Sequence, residues 1–152
     1  MPSPQVLIAR LLGLGIVAAE DLRPCSPADI RKLEREHGVT LPESYKIFLR
    51  CMGRSAGEFL RSDHWSAYFD NLFTLNRDVR EHLRESRLPP KWFCFATRMG
   101  EVYLFFEADG SDSDPPVYYW NERIDPDVKK GYNSFWDWFA EMVGYYQEYD
   151  AR

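Results

Sequence analysis

The sequence predicts an α+β fold: a single domain, mainly antiparallel β-sheet, packed by an N-terminal helix pair and a C-terminal helix. Three observations carry this expectation. Residues 26–53 hold two helix starts and two helix stops in close succession. Residues 92–120 hold three short runs of aromatic and β-branched residues, separated by turn signals. Residues 134–146 return to helical periodicity with a wide apolar stripe. Helices gathered around a block of strands is the α+β pattern. A chain of 152 residues, 45% of them hydrophobic, buries one sizeable core and not two.

Taken in order, residues 4–14 read as an amphipathic helix, with Leu7, Leu11 and Leu14 on one face and Gly13 and Gly15 weakening its end. The apolar run 6–19 is not expected to be a secretory or membrane segment: no Lys or Arg precedes it, Arg10 interrupts it, and it is too short to span. Residues 1–25 are thus read as an N-terminal helical arm that docks on the domain or on a second copy. Residues 26–152 form the domain.

The helix pair follows. Ser26 caps, Pro27 suits the first helical position, and Asp29 stands three residues after the cap, where it reaches back. Ile30, Leu33 and His37 share a face, and Gly38 supplies a left-handed stop. Thr40 and Glu43 repeat the capping spacing with Pro42 in the first turn, and Gly53 closes the rhythm of Tyr45, Phe48, Leu49 and Met52.

Leu33-Glu34, Gly38, Leu41-Pro42, Tyr45, Phe48-Leu49 and Gly53 resemble the opening signature of the SUKH superfamily, which includes Syd-like and cell-wall-assembly-regulator-like domains. The resemblance continues through the strand-rich middle, the strand Val117-Tyr118-Tyr119-Trp120 and a closing helix from Ser134-Phe135. It implies an α+β domain that binds other proteins, most often as a bacterial immunity protein neutralising a toxin. The cell-wall-assembly regulators supply an alternative, a regulatory scaffold for signalling proteins.

Residues 54–71 signal strands weakly. Leu72-Phe73-Thr74-Leu75 reads as a short strand or a helix lead, and residues 76–86 as a helix placing Val79 and Leu83 inward. Arg77, Arg80, Arg84 and Arg87 align along one side, a spacing that suits phosphate, but Asp78, Glu81 and Glu85 run alongside and favour a solvated salt-bridge face. Leu88-Pro89-Pro90 ends this helix. Trp92–Ala96 and Val102–Phe106 then read as an antiparallel hairpin turning at Met99-Gly100. The loop with Asp109, Asp112 and Asp114 lacks the spacing of an EF-hand, so a solvated hairpin loop is expected rather than a calcium site. Residues 121–133 read as a polar excursion. From Ser134, with Asp137 at capping distance, a last helix turns Phe135, Trp138, Phe139, Met142, Val143 and Tyr146 to the sheet.

Composition narrows the function. A net charge of -5 argues against direct nucleic-acid or anionic-membrane binding and favours a basic partner. Three dispersed cysteines without a metal-ligand spacing suit reduced thiols and a cytoplasmic setting. No Gly-rich phosphate loop, nucleophile elbow or zinc motif is written in the chain, so no cofactor, metal or catalytic set is expected. The enzyme alternative is a small hydrolase using Asp63 and His64 with Asp70 close in sequence, which requires a pocket containing both. Between Glu101 and Asp127 eight acidic residues face a single Arg123. Carboxylates beside aromatics steer and anchor a basic protein. The expected partner contacts are accordingly Trp65, Tyr68, Asp109, Asp112, Asp114, Tyr118 and Glu122, on a monomer or weak homodimer. The expected partner is a basic toxin domain, and the acidic face favours a nucleic-acid-acting one.

Overall fold

The computed structural model describes residues 3–82, 90–121, 123–124 and 127–150. Helix α2 (Pro27–His37) has the expected reciprocal cap: Asp29 N–H donates to Ser26 Oγ at 3.1 Å and Ser26 N–H to Asp29 Oδ2 at 2.9 Å. Gly38 ends it at φ 62°. Helix α3 (Glu43–Met52) ends at Gly53 as expected and departs from expectation at its start. Pro42 takes its cap position with no side-chain hydrogen bond, and the Thr40 N–H that Glu43 would accept in a capping box donates instead to Ala108 C=O at 2.8 Å. Glu34 organises the corner instead, its carbonyl accepting from Gly38 and Val39 and its Oε2 from Leu41 N–H at 2.9 Å. Gly53 closes α3 at φ −63°, so left-handed freedom is not its purpose. A Cβ there would stand 2.5 Å from Cys25 Sγ and 2.8 Å from Leu49 Cα and O, so glycine is required by close approach.

Helix α1 (Pro4–Gly13) packs against α3, burying Leu7 and Leu11 in the main core, while Leu14, past the helix end, is left partly exposed. Strands β1 (Leu22–Arg23) and β2 (Ser55–Ala56) form a two-stranded antiparallel ribbon. The main sheet is antiparallel in sequence order: β3 (Trp65–Ser66), β4 (Trp92–Arg98), β5 (Val102–Glu107), β6 (Val117–Asn121) and β7 (Lys129–Tyr132). The β4–β5 turn has Met99 at φ 60° and Gly100 at φ 66°, both positive as a primed turn demands.

Two expectations are corrected here. Residues 129–132 are a fifth strand and not part of a polar excursion; Lys129, Lys130 and Gly131 on this edge are exposed, so no apolar alternation announced it. Leu72–Leu75 is not a strand: the helical alternative holds, but helix α4 (Phe69–His82) starts earlier than expected and includes these residues. The continuation expected over 83–86, with Leu83, Arg84 and Glu85, and Arg87 after it, lies outside the described residues.

Helix α4 closes an edge of the sheet. Strand β3 pairs only with Thr97 and Arg98 at one end of β4. The chain then turns into α4, and side chains take over the pairing. Asn76 Nδ2 donates to Cys94 C=O and its Oδ1 accepts from Cys94 N–H, both at 2.8 Å. One turn later Arg80 Nη2 donates to Trp92 C=O at 2.6 Å and Pro90 C=O at 3.0 Å. The helical i, i+4 repeat thus meets every second residue of the strand, and Arg80 is a structural donor here, not part of a free phosphate stripe.

The sheet divides the apolar residues in two. On the inner face α1, α2, α3 and α5 (Phe135–Asp150) enclose a core in which the Tyr45 ring meets Phe48, Phe93, Phe95, Phe106 and Phe135 at centroid distances of 5.1–6.1 Å. On the outer face Leu75 and Val79 of α4 join Cys94, Phe105 and Trp120. Among the described residues no helix is long and apolar enough to cross a membrane.

Candidate partner-binding surfaces

Helix α5 carries two stripes. Phe135, Phe139, Val143 and Tyr146 enter the core. Trp138, Glu141, Met142 and Tyr145 repeat at i, i+3, i+4 and i+7 on an adjoining face. The sheet supplies the opposite wall, because directly paired residues share one face of the pleat. Trp65, Arg98 and Val102 form one row, Leu104 and Tyr119 the next. With Gly131 and Tyr132 of β7 they line an open cleft of about 470 Å³. Gly131 is needed there: a Cβ would meet Tyr119 Cδ1 at 2.9 Å.

Two polar contacts bracket the cleft. At one end Arg98 Nη2 donates to Asp63 Oδ2 at 2.5 Å, and Tyr145 hydroxyl donates to the same oxygen at 2.7 Å. The Tyr145 hydrogen bond, and then Arg98, hold the Asp63 carboxyl below its ordinary pKa. At the other end the Tyr132 hydroxyl donates to Glu141 Oε2. Burial, and then Glu141, raise the pKa of that hydroxyl.

Asp63 and His64 both have positive φ, 61° and 65°, and His64 C=O accepts from Met99 N–H at 2.9 Å. This strained pair fastens its turn to the β4–β5 hairpin tip. Asp63 Oδ2 is engaged by Arg98 and Tyr145, and neither Asp63 nor His64 lines the cleft. The pocket that the hydrolase alternative requires is therefore not this one.

The acidic loop lies at the opposite end of the sheet. Asp109 Oδ1 accepts from Ser111 N–H at 2.9 Å and Asp112 Oδ1 from Asp114 N–H at 2.9 Å, two successive side-chain turns. The loop is bolted to two helix starts: Ser44 N–H donates to Ser113 C=O at 2.9 Å, and Trp136 N–H to Asp114 Oδ1 at 3.3 Å. Ser111, hydroxyl first, holds the exposed Asp109 carboxyl below its ordinary pKa.

The expected contact residues separate accordingly. Asp109 and Asp112 are exposed on the loop, whereas Asp114 is turned toward the start of α5, where a carboxylate favours the helix dipole. Trp65 lies in the cleft, and Tyr118, on the opposite face of the sheet, packs against Trp92 with ring centroids 4.6 Å apart and planes tilted by 38°. Tyr68 is corrected out of the set: it is 2% exposed, and its hydroxyl donates to Phe59 C=O inside the core. Glu122 lies outside the described residues. Trp65 and the loop stand at opposite ends of β5, about 17 Å along the strand, so they are two surfaces. The cleft residues Arg98, Tyr119, Tyr132, Glu141 and Met142 were not among the expected contacts, although the second stripe on α5 was a readable signal for two of them.

A comparison with curated proteins finds no match to this chain. A family model, described as SMI1 / KNR4 family (SUKH-1), matches residues 24–141, from the residue before Cys25 to Glu141. That span takes in the α2–α3 corner, the whole main sheet and the start of α5, and the chain belongs to the SMI1/KNR4 (SUKH-1) family.

Proposed function

We propose that this domain is an immunity-type inhibitor that binds a basic bacterial toxin domain one to one and blocks it without turnover. At family level the chain is a protein-binding domain of immunity-like or regulatory kind. The observation that carries the finer reading is the acidic loop. Asp109 and Asp112 are exposed, and the loop that bears them is immobilised by its own turns and by the starts of α3 and α5. Charges on a rigid platform steer association and lose little entropy on docking. A nucleic-acid-acting toxin fits best, because its substrate demands a basic cleft. Such an inhibitor acts in the cytoplasm of the producing cell, before the toxin leaves it.

The test is co-purification from the native cell followed by calorimetric titration of the recovered partner at low and moderate salt. A tight, salt-weakened 1:1 complex that silences the partner's activity is expected. Asp109→Lys with Asp112→Lys should slow association by roughly tenfold or more at low salt. A signalling protein that stays active in the complex would instead place the domain with the regulatory scaffolds.

A further inference from the structure

We propose that the cleft between α5 and the open sheet face receives an arginine side chain presented by the protein partner. This rests on the reading of the domain as a binder of basic proteins and names the anchor. The argument is one of charge and surface. Of the two charged residues that line the cleft, Arg98 and Glu141, Arg98 is already neutralised by Asp63. Glu141 has only the neutral Tyr132 hydroxyl as its hydrogen-bond partner among the described residues. One carboxylate charge is thus left uncompensated against an aromatic lining. Trp65 and Tyr132 are half-buried and Tyr119 is exposed, while Trp138 forms the floor, with its ring 6.0 Å from that of Trp65. Aromatic faces attract a cation, and a planar guanidinium both stacks on such rings and forks onto a carboxylate, which an ammonium does not. A cleft of about 470 Å³ also leaves room for the residues flanking that arginine.

The probe is acetyl-Gly-Arg-Gly-amide, titrated into the ¹⁵N-labelled protein while the indole N–H resonances are followed, with Trp65→Phe for assignment. The peptide with citrulline in place of arginine, equal in shape but neutral, is the control. A saturable shift at Trp65 is expected with the arginine peptide, with binding at least roughly tenfold weaker for citrulline and roughly tenfold weaker for Glu141→Gln. Glu141 is exposed, and glutamine still accepts from Tyr132, so this variant keeps its fold, as its thermal unfolding will register. Equal binding of the two peptides, no saturable shift, or unchanged affinity in Glu141→Gln overturns the proposal. No toxin enters this experiment, so its failure leaves the immunity reading standing, and a failure of the immunity reading leaves this result unaffected.

Discussion

Asn76→Leu tests the way the sheet edge is closed. Asn76 is 3% exposed, and its amide makes three hydrogen bonds, two of them to the backbone of Cys94 and one to Leu72 C=O at 2.9 Å. Leucine has nearly the same shape and none of the polarity. The substitution leaves the N–H and C=O of a strand residue that is 1% exposed without partners. Each such group costs about 1–3 kcal/mol, and added apolar burial against Leu75 and Val79 returns about 1–2 kcal/mol. With two such groups the net loss is expected at about 2.5 kcal/mol at the centre of these ranges, a large share of a typical domain's stability. Urea unfolding followed by tryptophan fluorescence measures it, and hydrogen exchange at the Cys94 amide should quicken in parallel. Asn76→Asp should be worse at neutral pH, since it keeps the acceptor, loses both donors and buries a charge, and it should recover on acidification as the carboxyl gains a proton. An Asn76→Leu protein within about 1 kcal/mol of the parent, with an unchanged denaturant slope, would refute the idea that α4 stands in for a strand.

Three further outcomes are expected. Gly53→Ala should cost roughly 1–3 kcal/mol by overpacking, and Cys25→Ala should rescue only part of it, because the clash with Leu49 is with backbone; full rescue would show that only the sulfur matters. Burial pushes the Cys25 thiol up to about 12 and raises those of Cys94 and Cys51 as well, but Cys51 is only half-buried, so at pH 8 Ellman's reagent should find at most slow reaction at Cys51 in the native protein and three thiols after unfolding. Rapid native reaction at Cys25 or Cys94 would contradict that burial. Hydrogen bonds from Arg54 and then from Ser26 N–H depress the Asp29 carboxyl pKa in the fold. Its contribution is therefore complete above the ordinary carboxylate range near pH 4 and is lost as pH falls through the lower folded value. Asp29→Asn should flatten the stability profile in that acid window; a parent and variant that lose stability in parallel below pH 4 would assign the acid sensitivity to other carboxylates.

What the sequence disclosed follows from the range of the interactions involved. The α2 cap was legible because Ser26 and Asp29 bond each other across three residues, and Gly38 because its φ is set by the chain next to it. Thr40 and Glu43 have the same spacing, yet Thr40 N–H goes to Ala108, far along the chain, and the cap does not form. Gly53 was legible as the stop of α3, but its constraint is tertiary, since it comes from Cys25 and Leu49 and not from its own φ. Strand β7 carries no apolar alternation because it is an exposed edge, and its Gly131 makes sense only once Tyr119 lies across it. Asn76 in mid-helix was a hint, as such a side chain competes with the backbone for hydrogen bonds, but which backbone it serves is a tertiary fact.

The same limit governs the candidate surfaces. A count of carboxylates marks residues 101–127 as acidic but cannot separate a charge spent inside the fold from one left for a partner. Asp114 is turned to the start of α5, and Glu101 is paired with Arg123 at 3.1 Å, whereas Asp109 and Asp112 accept from their own loop and remain exposed. Register makes an equally sharp cut among the aromatics. Tyr118 and Tyr119 are neighbours in sequence, but the pleat sends the first to the outer cluster with Trp92 and the second to the cleft with Trp65. A partner that covers the acidic loop and one that fills the cleft meet opposite ends of the sheet. A toxin domain large enough to span about 17 Å of strand can use both, with the loop governing how fast it arrives and the cleft how long it stays. Asp109→Lys with Asp112→Lys should therefore act mainly on the association rate and Glu141→Gln mainly on dissociation. Two variants that alter the same rate constant would mean that the surfaces are not used in this division.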